Sequence, residues 1–520
     1  MTTHVIGIDI GTMGTKTGIY DEDGRLVAEA FEESVLHYPR PGWVEQMPED
    51  LYGSVVRTIA GALEAAAIDP ATVASLAISG QMAGVSTVDA DWGTPTQYDN
   101  WLDNRCAPQV ERLKSAGAEI LSVSGCVPSY NHGPKMLYWK EEQPEIWDRI
   151  ARFVQPAAYV AGRLAGLKGE DAFIDRTYLN FTTFADTENV RWNTDLLGRF
   201  GLDDSKLPRI VEPWDIVGHL TEAAASQTGL RAGMPIAAGC GDQAANVLGA
   251  GMVDPGTVFD VSGTASVFSV VIDRFATDQR YGALMTCPHV IPGLYYAMAY
   301  VAGGGLNLRW FRDEICGTEK KDWEASGIAP YDALCRLAAE APAGSDRLVF
   351  LPHLGGRNTP NNTDMRGAFI GLNWRHGKGH MFRAMMESIG YEYALYLRSV
   401  REIVPGLELV RAMNMGGGAK SPLFRQIKSD ILQLPYQGLD RTETGTLGSA
   451  IVAGHAVGLF PDLAATARRF AKPQGAPTQP AEGSAEGAAD GASGPYPEMA
   501  RLYADLLDTM AGPFARLARL

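Results

Sequence analysis

The 520-residue sequence has little cysteine, no long hydrophobic run and no excess of positive charge. The six cysteines are dispersed and form no CxxC pair: Cys106, Cys126, Cys240, Cys287, Cys316 and Cys335. This pattern disfavours a disulfide framework or a zinc site and is typical of reduced thiols in a cytoplasm. No apolar run approaches the roughly 20 residues that a membrane helix needs, and the N-terminal segment lacks the features of a signal peptide. We therefore expect a cytoplasmic protein without a membrane partner.

Acidic residues outnumber basic ones, 61 against 45, so the formal net charge is −16. A general nucleic-acid binder needs a basic face to displace counterions, and this composition disfavours one. A nucleotide is still compatible with the charge, because backbone amides can bind phosphate inside an acidic protein. The hydrophobic share of 46% is typical of a globular protein. A chain of this length is too long for one core, so we expect two domains or more.

Apolar stretches between glycine turns predict strands at the start of the chain. Residues 5–10, 15–21 and 25–31 are apolar or alternating and are joined by short turns. Residues 51–67 have helical spacing, and residues 73–80 predict a buried strand that ends at a glycine. Strands mixed with helices in this way indicate an α/β protein.

The second half of the chain repeats this opening. Residues 257–273 again predict two strands around a small-residue turn, and the turn at 263–266 matches the one at 11–14. Asp9 and Asp260 lie shortly upstream of the two turns. The copies are separated by about half of the chain, which is too far for a solenoid repeat. We expect two similar domains, each opening with a glycine-threonine hairpin.

The C-terminal region has a different composition. Residues 471–495 are rich in Ala, Gly and Pro and have too little apolar surface to order themselves, which predicts a flexible loop or linker. Residues 496–520 predict a terminal amphipathic helix.

The first hairpin, DIGTMGTK, resembles a phosphate loop without being a Walker A motif, which needs Gly-Lys-Ser/Thr at the start of a helix. The turn at Gly11 exposes backbone N–H groups, and Thr12 and Thr15 add hydroxyl donors that can bind an anion. Lys16 adds a charge, and Asp9 can hold Mg2+ through water. The alternative is a tight hairpin without a ligand, but the second copy favours phosphate binding.

Residues 413–435 predict a strand end, a triple glycine at 416–418 and a helix. Glycines at such a junction let a planar group approach the backbone closely, although a flexible connection is the plain alternative. Ser421 and Pro422 supply an N-cap and a first helical turn, which supports the helix.

Polar side chains follow two apolar or aromatic segments, at 79–84 and 98–106. Gln81, Asp103 and Arg105 can hydrogen-bond hydroxyl groups, and Trp101 can stack on a sugar face. For Asp103 and Arg105 the alternative is a surface ion pair.

Asp242 is a single acid between a short apolar strand and a helix of small residues, in AGCGDQAANVLGAG. An acid at this junction is an ordinary N-cap. A helix N-terminus also lowers a carboxylate pKa, which predicts an ionised Asp242 at pH 7. An ionised acid can accept a proton from an alcohol as the alcohol attacks phosphorus. The capping and catalytic interpretations are therefore compatible.

From about residue 4 to residue 455, the chain resembles the FGGY carbohydrate kinases, nearest to the xylulokinase type. The resemblance implies an α/β fold of two actin-like ATPase (ribonuclease H-like) domains with a cleft between them. The domains implied are 1–246 for the sugar and 247–456 for ATP, with an extension at 457–520. The motifs that carry the resemblance occur in the family's order: IGIDIGTMGTK, YPRPGWVEQMPE, SGQMAG, WLDNRC, GCGDQAANVLGAGMV, SGTAS, FLPHLGGRNTP and NMGGGAKSPLFRQIKSDIL.

The resemblance also implies roles for single residues. Asp242 matches the catalytic base and Asp9 the metal-associated acid. The positions that match the nucleotide site are Gly11, Thr12, Thr15, Lys16, Gly263, Thr264, Gly305, Gly417 and Gly418. The positions that match the substrate site are Gln81, Met82, Trp101, Asp103 and Gln243. The expected cofactors are ATP and Mg2+.

One position departs from the family pattern. Typical xylulokinases have His after the Met of the SGQMAG loop, where this chain has Ala83, and glycerol kinases have an Arg-Glu pair at Met82 and Ala83.

We expect an ATP-dependent kinase of a ketose or polyol, with a pentulose such as xylulose favoured. The alternatives are a kinase of another polyol or a ribulose-type substrate, and a non-catalytic ATP-binding scaffold of the same fold. The remaining partner expected is a second copy in a homodimer.

Overall fold

We describe a computed structural model that covers residues 2–441, 443–483 and 494–520. Two seven-stranded sheets carry the fold, one in each half of the chain. The strands of the first sheet are Ile216–His219, Pro235–Ala237, Val73–Gly80, His4–Ile10, Gly14–Asp21 and Leu26–Glu33 in spatial order, with Cys240–Gly241 also paired to Val73–Gly80. The strands of the second sheet are Met285–Pro288, Tyr295–Val301, Ser266–Ile272, Thr257–Ser262, Arg411–Met415, Tyr436–Leu439 and Pro473–Thr478.

The two sheets share one plan, which confirms the predicted duplication. In each, the opening strand pairs antiparallel with the next strand of its hairpin and parallel with a strand that follows much later in the chain. The outermost strand on that side is antiparallel in both sheets. This common order of strands is the actin-like arrangement that the sequence predicts, so the α/β expectation with two such domains is confirmed.

The prediction of a flexible loop over residues 471–495 is wrong for one part of that segment. Residues Pro473–Thr478 form an edge strand that pairs antiparallel with Tyr436–Leu439. The plan of the duplicated sheet explains this, because the strand occupies the place that Ile216–His219 has in the first sheet. Backbone pairing at an edge does not require apolar side chains, and composition therefore missed it. Residues 484–493 of the predicted loop lie outside the described residues.

The helices of the described chain surround the sheets, and the predicted helices near 51–67, 422–432 and 496–520 are among them. None of them combines the length and the hydrophobicity that a membrane span requires. Shorter two-stranded ladders join Glu45–Gln46 to Tyr98–Asp99, Ser86–Val88 to Arg152–Val154, Phe173–Asp175 to Arg209–Val211, Ala185–Asp186 to Arg191–Trp192 and Val349–Leu351 to Ala368–Ile370. The α-helices are Pro48–Ala66, Ala107–Leu113, Gly117–Ser124, His132–Glu142, Pro144–Arg149, Pro156–Ala165, Thr194–Arg199, Glu222–Thr228, Asp242–Gly249, Gly304–Trp310, Gly317–Ala325, Pro330–Glu340, Lys378–Ile403, Pro422–Leu432, Gly445–Ala456, Leu463–Phe470 and Tyr496–Leu517.

The helix Gly445–Ala456, here called the interface helix, packs on the first sheet although the sequence assigns it to the second domain. Its approach is close enough that a Cβ on Gly7 would lie 1.8 Å from the carbonyl oxygen of Thr446. Tyr20 and Thr446 share a hydrogen bond of 2.8 Å between their hydroxyl groups, and Ser75 donates to the carbonyl of Ala453 at 2.6 Å. The two halves are therefore joined by a buried apolar core as well as by the chain.

Candidate active site

The ends of three parallel strands bring the predicted acids and Gln81 to one edge of the first sheet. The strands His4–Ile10 and Cys240–Gly241 both pair parallel with Val73–Gly80. Asp9 lies at the end of the first strand, and Gln81 and Asp242 directly follow the other two. Polar groups that follow the carboxyl ends of parallel strands are the usual way in which an open α/β sheet builds a ligand site.

Asp242 is the first residue of its helix and not the N-cap, which is Gly241. Its Oδ1 accepts the N–H of Gln243 at 2.7 Å, and the side chain is only partly exposed. Burial first, and the negative charge of Asp9 second, raise the pKa of Asp242 to about 8. The prediction of an ionised carboxylate at pH 7 is therefore wrong for the ligand-free chain, because desolvation outweighs the single stabilising backbone bond.

Asp9 forms no ion pair among the described residues, although the charge of Lys16 acts on it. Its Oδ1 accepts from the Ser79 hydroxyl at 2.8 Å, and burial raises its pKa to about 6, with a further contribution from Glu443. Glycine at 445 keeps this carboxylate accessible, since a Cβ there would lie 3.0 Å from Asp9 Oδ2. No group of three or more His, Cys, Asp or Glu side chains in the described residues is arranged to hold a metal.

These residues fit Mg2+, which proteins commonly bind through one or two carboxylates while substrate phosphates and water complete the shell. Asp9 and Asp242 repel each other in a partly desolvated site, and a divalent cation would relieve that repulsion. Asp9 is the residue that would hold the ion, as the sequence predicts, with Asp242 beside it.

The first hairpin presents only part of its predicted phosphate-binding set. The Gly11 N–H bonds to the Gly14 carbonyl at 2.9 Å and closes the turn. Thr15 is fully buried, and its hydroxyl is bonded to Ser54 at 2.8 Å, so its predicted role as a donor to a ligand is wrong. Lys16, predicted to add a charge for a ligand, forms an ion pair with Glu443 at 2.5 Å. The side chains alternate along the strand, which turns Thr15 into the core.

A cavity of about 620 Å3 lies beside the second hairpin. Five of the predicted nucleotide residues line it: Gly263, Thr264, Gly305, Gly417 and Gly418. Eight lining residues that sequence reasoning missed come from three helices outside the quoted motifs: Leu306, Leu308, Arg309, Tyr331, Asp332, Cys335, Phe382 and Met386. Lys420 and Phe424 also line the cavity, and both lie in the NMGGGAKSPLFRQIKSDIL motif without having been assigned a role. The apolar side chains among the lining residues suit a planar base, and the glycines bring bare backbone to the wall.

The glycines of this cavity differ in the space around them, since two face open space and two are closely packed. At Gly263 a Cβ would meet only the Ala265 carbonyl at 3.5 Å, and at Gly417 it would meet nothing within 4 Å, so both face open space. At Gly305 a Cβ would lie 2.3 Å from the Gly263 carbonyl, and at Gly418 it would lie 2.6 Å from Ser262 Cβ. Gly305 and Gly418 are therefore required by packing, which seats the second hairpin against its neighbours.

A buried cluster of polar side chains around Asp260 supports the second hairpin. Lys428 donates to Asp260 Oδ2 and, at 2.7 Å, to the Ser262 hydroxyl. Tyr393 donates to Asp260 Oδ1 at 2.9 Å, and the Asn414 amide donates to Asp260 Oδ2 at 2.9 Å. Asp260 lies shortly upstream of the second turn, but the matched turns place Val261, not Asp260, at the position of Asp9. Lys428 supplies the positive charge beside Asp260. Lys428 lies in the NMGGGAKSPLFRQIKSDIL motif, but the sequence gives no sign that it pairs with Asp260.

Two of the predicted substrate residues, Gln81 and Trp101, are joined through Thr12 in one hydrogen-bond network. Thr12 donates to Gln81 Oε1 at 3.1 Å and accepts from Trp101 Nε1 at 2.8 Å. Gln81 also accepts from Asn100 Nδ2 at 2.8 Å and donates to Gln46 Oε1 at 2.9 Å. The Trp101 side chain is 39% exposed, so a ring surface stays available to a ligand. Thr12 thus links the first hairpin to the predicted sugar loops.

Asp103 and Arg105 form a buried ion pair, and the surface alternative is wrong. Asp103 Oδ2 accepts the Val44 N–H at 2.7 Å and Arg105 NH2 at 2.8 Å, while its Oδ1 accepts Arg105 Nε at 2.9 Å. Lys135, which sequence reasoning missed, donates to the carbonyls of Asn100 and Asp103 at 2.7 and 3.1 Å. These contacts fix the backbone of the loop that presents Trp101.

Met82, Ala83 and Gln243 surround the Asp242 end of the site. The Met82 side chain packs on Gly241, where a Cβ would lie 2.5 Å from Met82 Cε. The His132 ring donates from Nε2 to the Met82 carbonyl, and burial lowers the pKa of His132 to about 4, so this ring is neutral. Ala83 and Gln243 are half-buried.

Comparison with known proteins agrees with this geometry. Residues 4–249 match the N-terminal domain, and residues 261–457 the C-terminal domain, of the FGGY family of carbohydrate kinases. The chain is 28% identical over 471 residues to a xylulose kinase of Staphylococcus epidermidis, covering 90% of this chain and 91% of the relative. It is also 28% identical over 466 residues to a gluconokinase of Bacillus subtilis, covering 88% of each.

A solved xylulose kinase from Rhodospirillum rubrum superimposes with a TM-score of 0.88 at 25% identity, covering 98% of this chain and 100% of that one. The family models span most of the sequence, and the superposition covers both sheets. The chain belongs to the FGGY family of carbohydrate kinases.

Proposed function

We propose that this protein transfers the γ-phosphoryl group of ATP to a hydroxyl of a neutral ketose or polyol, with a pentulose such as xylulose the favoured acceptor. The observation that carries the proposal is the convergence of Asp9, Gln81 and Asp242 at the ends of three parallel strands. The cavity beside the second hairpin supports a nucleotide, and the Gln81 and Trp101 network supports a polyhydroxyl acceptor.

In this mechanism Asp242 accepts the proton of the attacking hydroxyl. A raised pKa suits a general base, because a base whose pKa lies near the working pH removes a proton more readily than a strong acid's anion does. A bound Mg2+ ion would neutralise phosphate charge and favour the ionised form of Asp242. The Gly263 turn would offer backbone N–H groups to phosphate oxygens. Closure of the cleft would exclude water that otherwise hydrolyses ATP.

The charges near the acceptor end favour a neutral substrate over a sugar acid. Asp9 and Asp242 are both acids. Arg105 is paired with Asp103 and Glu45, and Lys135 donates to backbone carbonyls, so these cations are already engaged within the chain. A carboxylate on the substrate would therefore meet negative groups without gaining a partner, and such burial is costly.

ADP release measured over a panel of acceptors tests the proposal. The panel contains D-xylulose, D-ribulose, L-ribulose, xylitol, glycerol and gluconate, with the Asp242→Asn variant as the blank. We expect a neutral pentulose or pentitol to stimulate ADP release, and gluconate and glycerol to be much weaker. Gluconate as the best acceptor would contradict the neutral substrate class. Tight ATP binding with no stimulation by any acceptor would favour the ATP-binding scaffold instead.

A further inference from the structure

The helix that carries Asp242 begins without a cap from its own sequence. Its N-cap is Gly241, which has no side chain, and its third residue is Ala244, which cannot bond back to the N-cap as the Glu or Gln of a capping box does. The strand before it, Cys240–Gly241, has only two residues and follows Gly239, whose φ is +78°. The position of Asp242 therefore depends on contacts from elsewhere.

A segment remote in sequence supplies these contacts. Thr177 Oγ1 accepts the Gly241 N–H at 2.8 Å and donates its own proton to Asp175 Oδ1 at 2.5 Å. Asp175 Oδ1 also accepts the Thr177 N–H at 2.9 Å. Because the Thr177 hydroxyl donates its hydrogen bond to Asp175, a lone pair of Thr177 Oγ1 is left to accept the Gly241 N–H. All three groups are buried.

The same segment is fixed at two further points. Tyr178 donates to the carbonyls of Gly80 and Cys240, at 2.9 and 3.3 Å, and so ties the two strand ends together. Arg176 NH2 donates to the carbonyl of His289, in the second half of the chain, at 2.9 Å. Hydrogen bonds of Arg176 and Tyr178 thus fix the chain on both sides of Thr177.

We propose that Thr177, oriented by Asp175, is a positioning residue that fixes Asp242 for proton removal. The inference rests on the phosphoryl transfer proposed above. Removing the Thr177 hydroxyl leaves the Gly241 N–H without its partner and lets the start of the helix shift. A displacement of about 1 Å at a reacting group can lower a rate about 100-fold. The nucleotide cavity does not include Thr177 and should keep its affinity.

The test compares three variants of the full chain. Thr177→Val removes the hydroxyl, Thr177→Ser keeps it, and Thr182→Val is the matched control. Thr182 is equally buried and makes the same kinds of bond, to Leu179 at 2.7 Å and from Ala185 at 3.1 Å, but it does not touch Gly241. The measurements are kcat, the acceptor KM, ATP affinity by calorimetry and amide exchange of the peptide that spans Gly241.

We expect Thr177→Val to lower kcat about 10- to 100-fold, with acceptor KM and ATP affinity changed only a few-fold. Thr177→Ser should restore kcat to near the wild-type value, and Thr182→Val should leave it unchanged. The Gly241 peptide should exchange faster in Thr177→Val than in Thr182→Val, and this readout needs no acceptor. A wild-type chain that phosphorylates nothing would contradict the proposed function, while the exchange result still judges the inference.

Each of the following outcomes would overturn the inference. The first is equal kcat in Thr177→Val and Thr182→Val, and the second is a Ser variant that is no better than Val. The third is loss of ATP binding together with turnover, because that pattern indicates general disruption rather than displacement of Asp242. If the Val variant does not fold, Thr177→Ala replaces it, and a folded Ala variant with wild-type kcat would also overturn the inference.

Discussion

The buried acids near the two hairpins have different electrostatic environments. Asp260 forms a buried ion pair with Lys428, whereas Asp9 and Asp242 form no ion pair among the described residues, and only the more distant charge of Lys16 favours the ionised form of Asp9. The Asp260–Lys428 pair supports the second hairpin. The repulsion between Asp9 and Asp242 raises the pKa of Asp242, and a ligand can relieve it. The expected consequences at the residue scale concern Asp242.

The first prediction is the kinetic effect of Asp242→Asn. The amide keeps the size of the side chain but cannot accept the proton, and loss of a general base typically costs about 10²- to 10⁴-fold in rate. We expect kcat to fall within that range while ATP affinity, measured by calorimetry, changes only a few-fold. A folded Asn variant with near-normal turnover would remove Asp242 from the proposed mechanism.

The second prediction concerns stability and pH in the ligand-free chain. The unfolded state releases the Asp242 proton near its ordinary pKa of 3.8, whereas the folded state keeps it up to about pH 8. Ionisation therefore opposes folding, and this cost grows as the pH rises through that window. Asp242→Asn removes it, so the variant should gain stability over the wild type between pH 5 and pH 8. The gain should be on the order of 1–2 kcal/mol, since solvent screens a partly exposed group. Thermal unfolding at several pH values measures it, and a constant difference would contradict the prediction.

At the scale of elements, the two hairpins are alike in sequence and different in support. The Lys16–Glu443 ion pair joins the first hairpin to the segment just before the interface helix, and the cluster around Asp260 supports the second hairpin. Substitutions in the second hairpin and in the helix that supports it can therefore separate the proposed ligand contact from structural support. A change at Gly263 tests the first, and a change at Lys428 tests the second.

The third prediction is that Gly263→Val weakens ATP binding without unfolding the protein. The glycine has room for a Cβ within the fold, but a branched side chain would occupy the space through which a phosphate approaches the backbone. Calorimetry should show weaker ATP binding and an almost unchanged unfolding temperature. Gly305→Val is the contrasting control, because its Cβ would clash with the Gly263 carbonyl at 2.3 Å and should destabilise the fold. Unchanged ATP affinity in Gly263→Val would restore the ligand-free hairpin.

The fourth prediction is that Lys428→Met destabilises the second half. Methionine fills similar volume but leaves Asp260 buried without its cation, and breaking a buried pair in this way typically costs about 3–5 kcal/mol. Denaturant unfolding measures the loss, and Lys420→Met, in the more exposed glycine-rich turn, is the control. A double variant, Lys428→Met with Asp260→Asn, should recover part of the stability. A loss below about 1 kcal/mol in the single variant would show that the pair contributes little.

At the scale of the whole molecule, the sequence predicts the duplicated hairpins and the elements that depend only on neighbouring residues. The hairpins, the helix after Ser421 and the strand ending at Gly80 follow from apolar periodicity and turn residues. The supports for the site did not follow, because Thr177, Lys135 and Lys428 act through partners 32 to 168 positions away. The pKa of Asp242 was also missed, since a helix N-terminus can be recognised in sequence but burial beside Asp9 cannot.

The packing of the interface helix has a consequence for how such a duplicated chain can be divided. Although the two halves have the same plan, the first sheet lacks part of its cover until residues 445–456 return to it from the far end of the chain. A fragment that stops at residue 250 would expose the apolar face beneath that helix and should aggregate instead of folding alone. Restoring 445–456 through a short linker should make the fragment monomeric, which gel filtration can measure. The duplication is thus visible in topology, but we expect the first half to need residues 445–456 in order to fold.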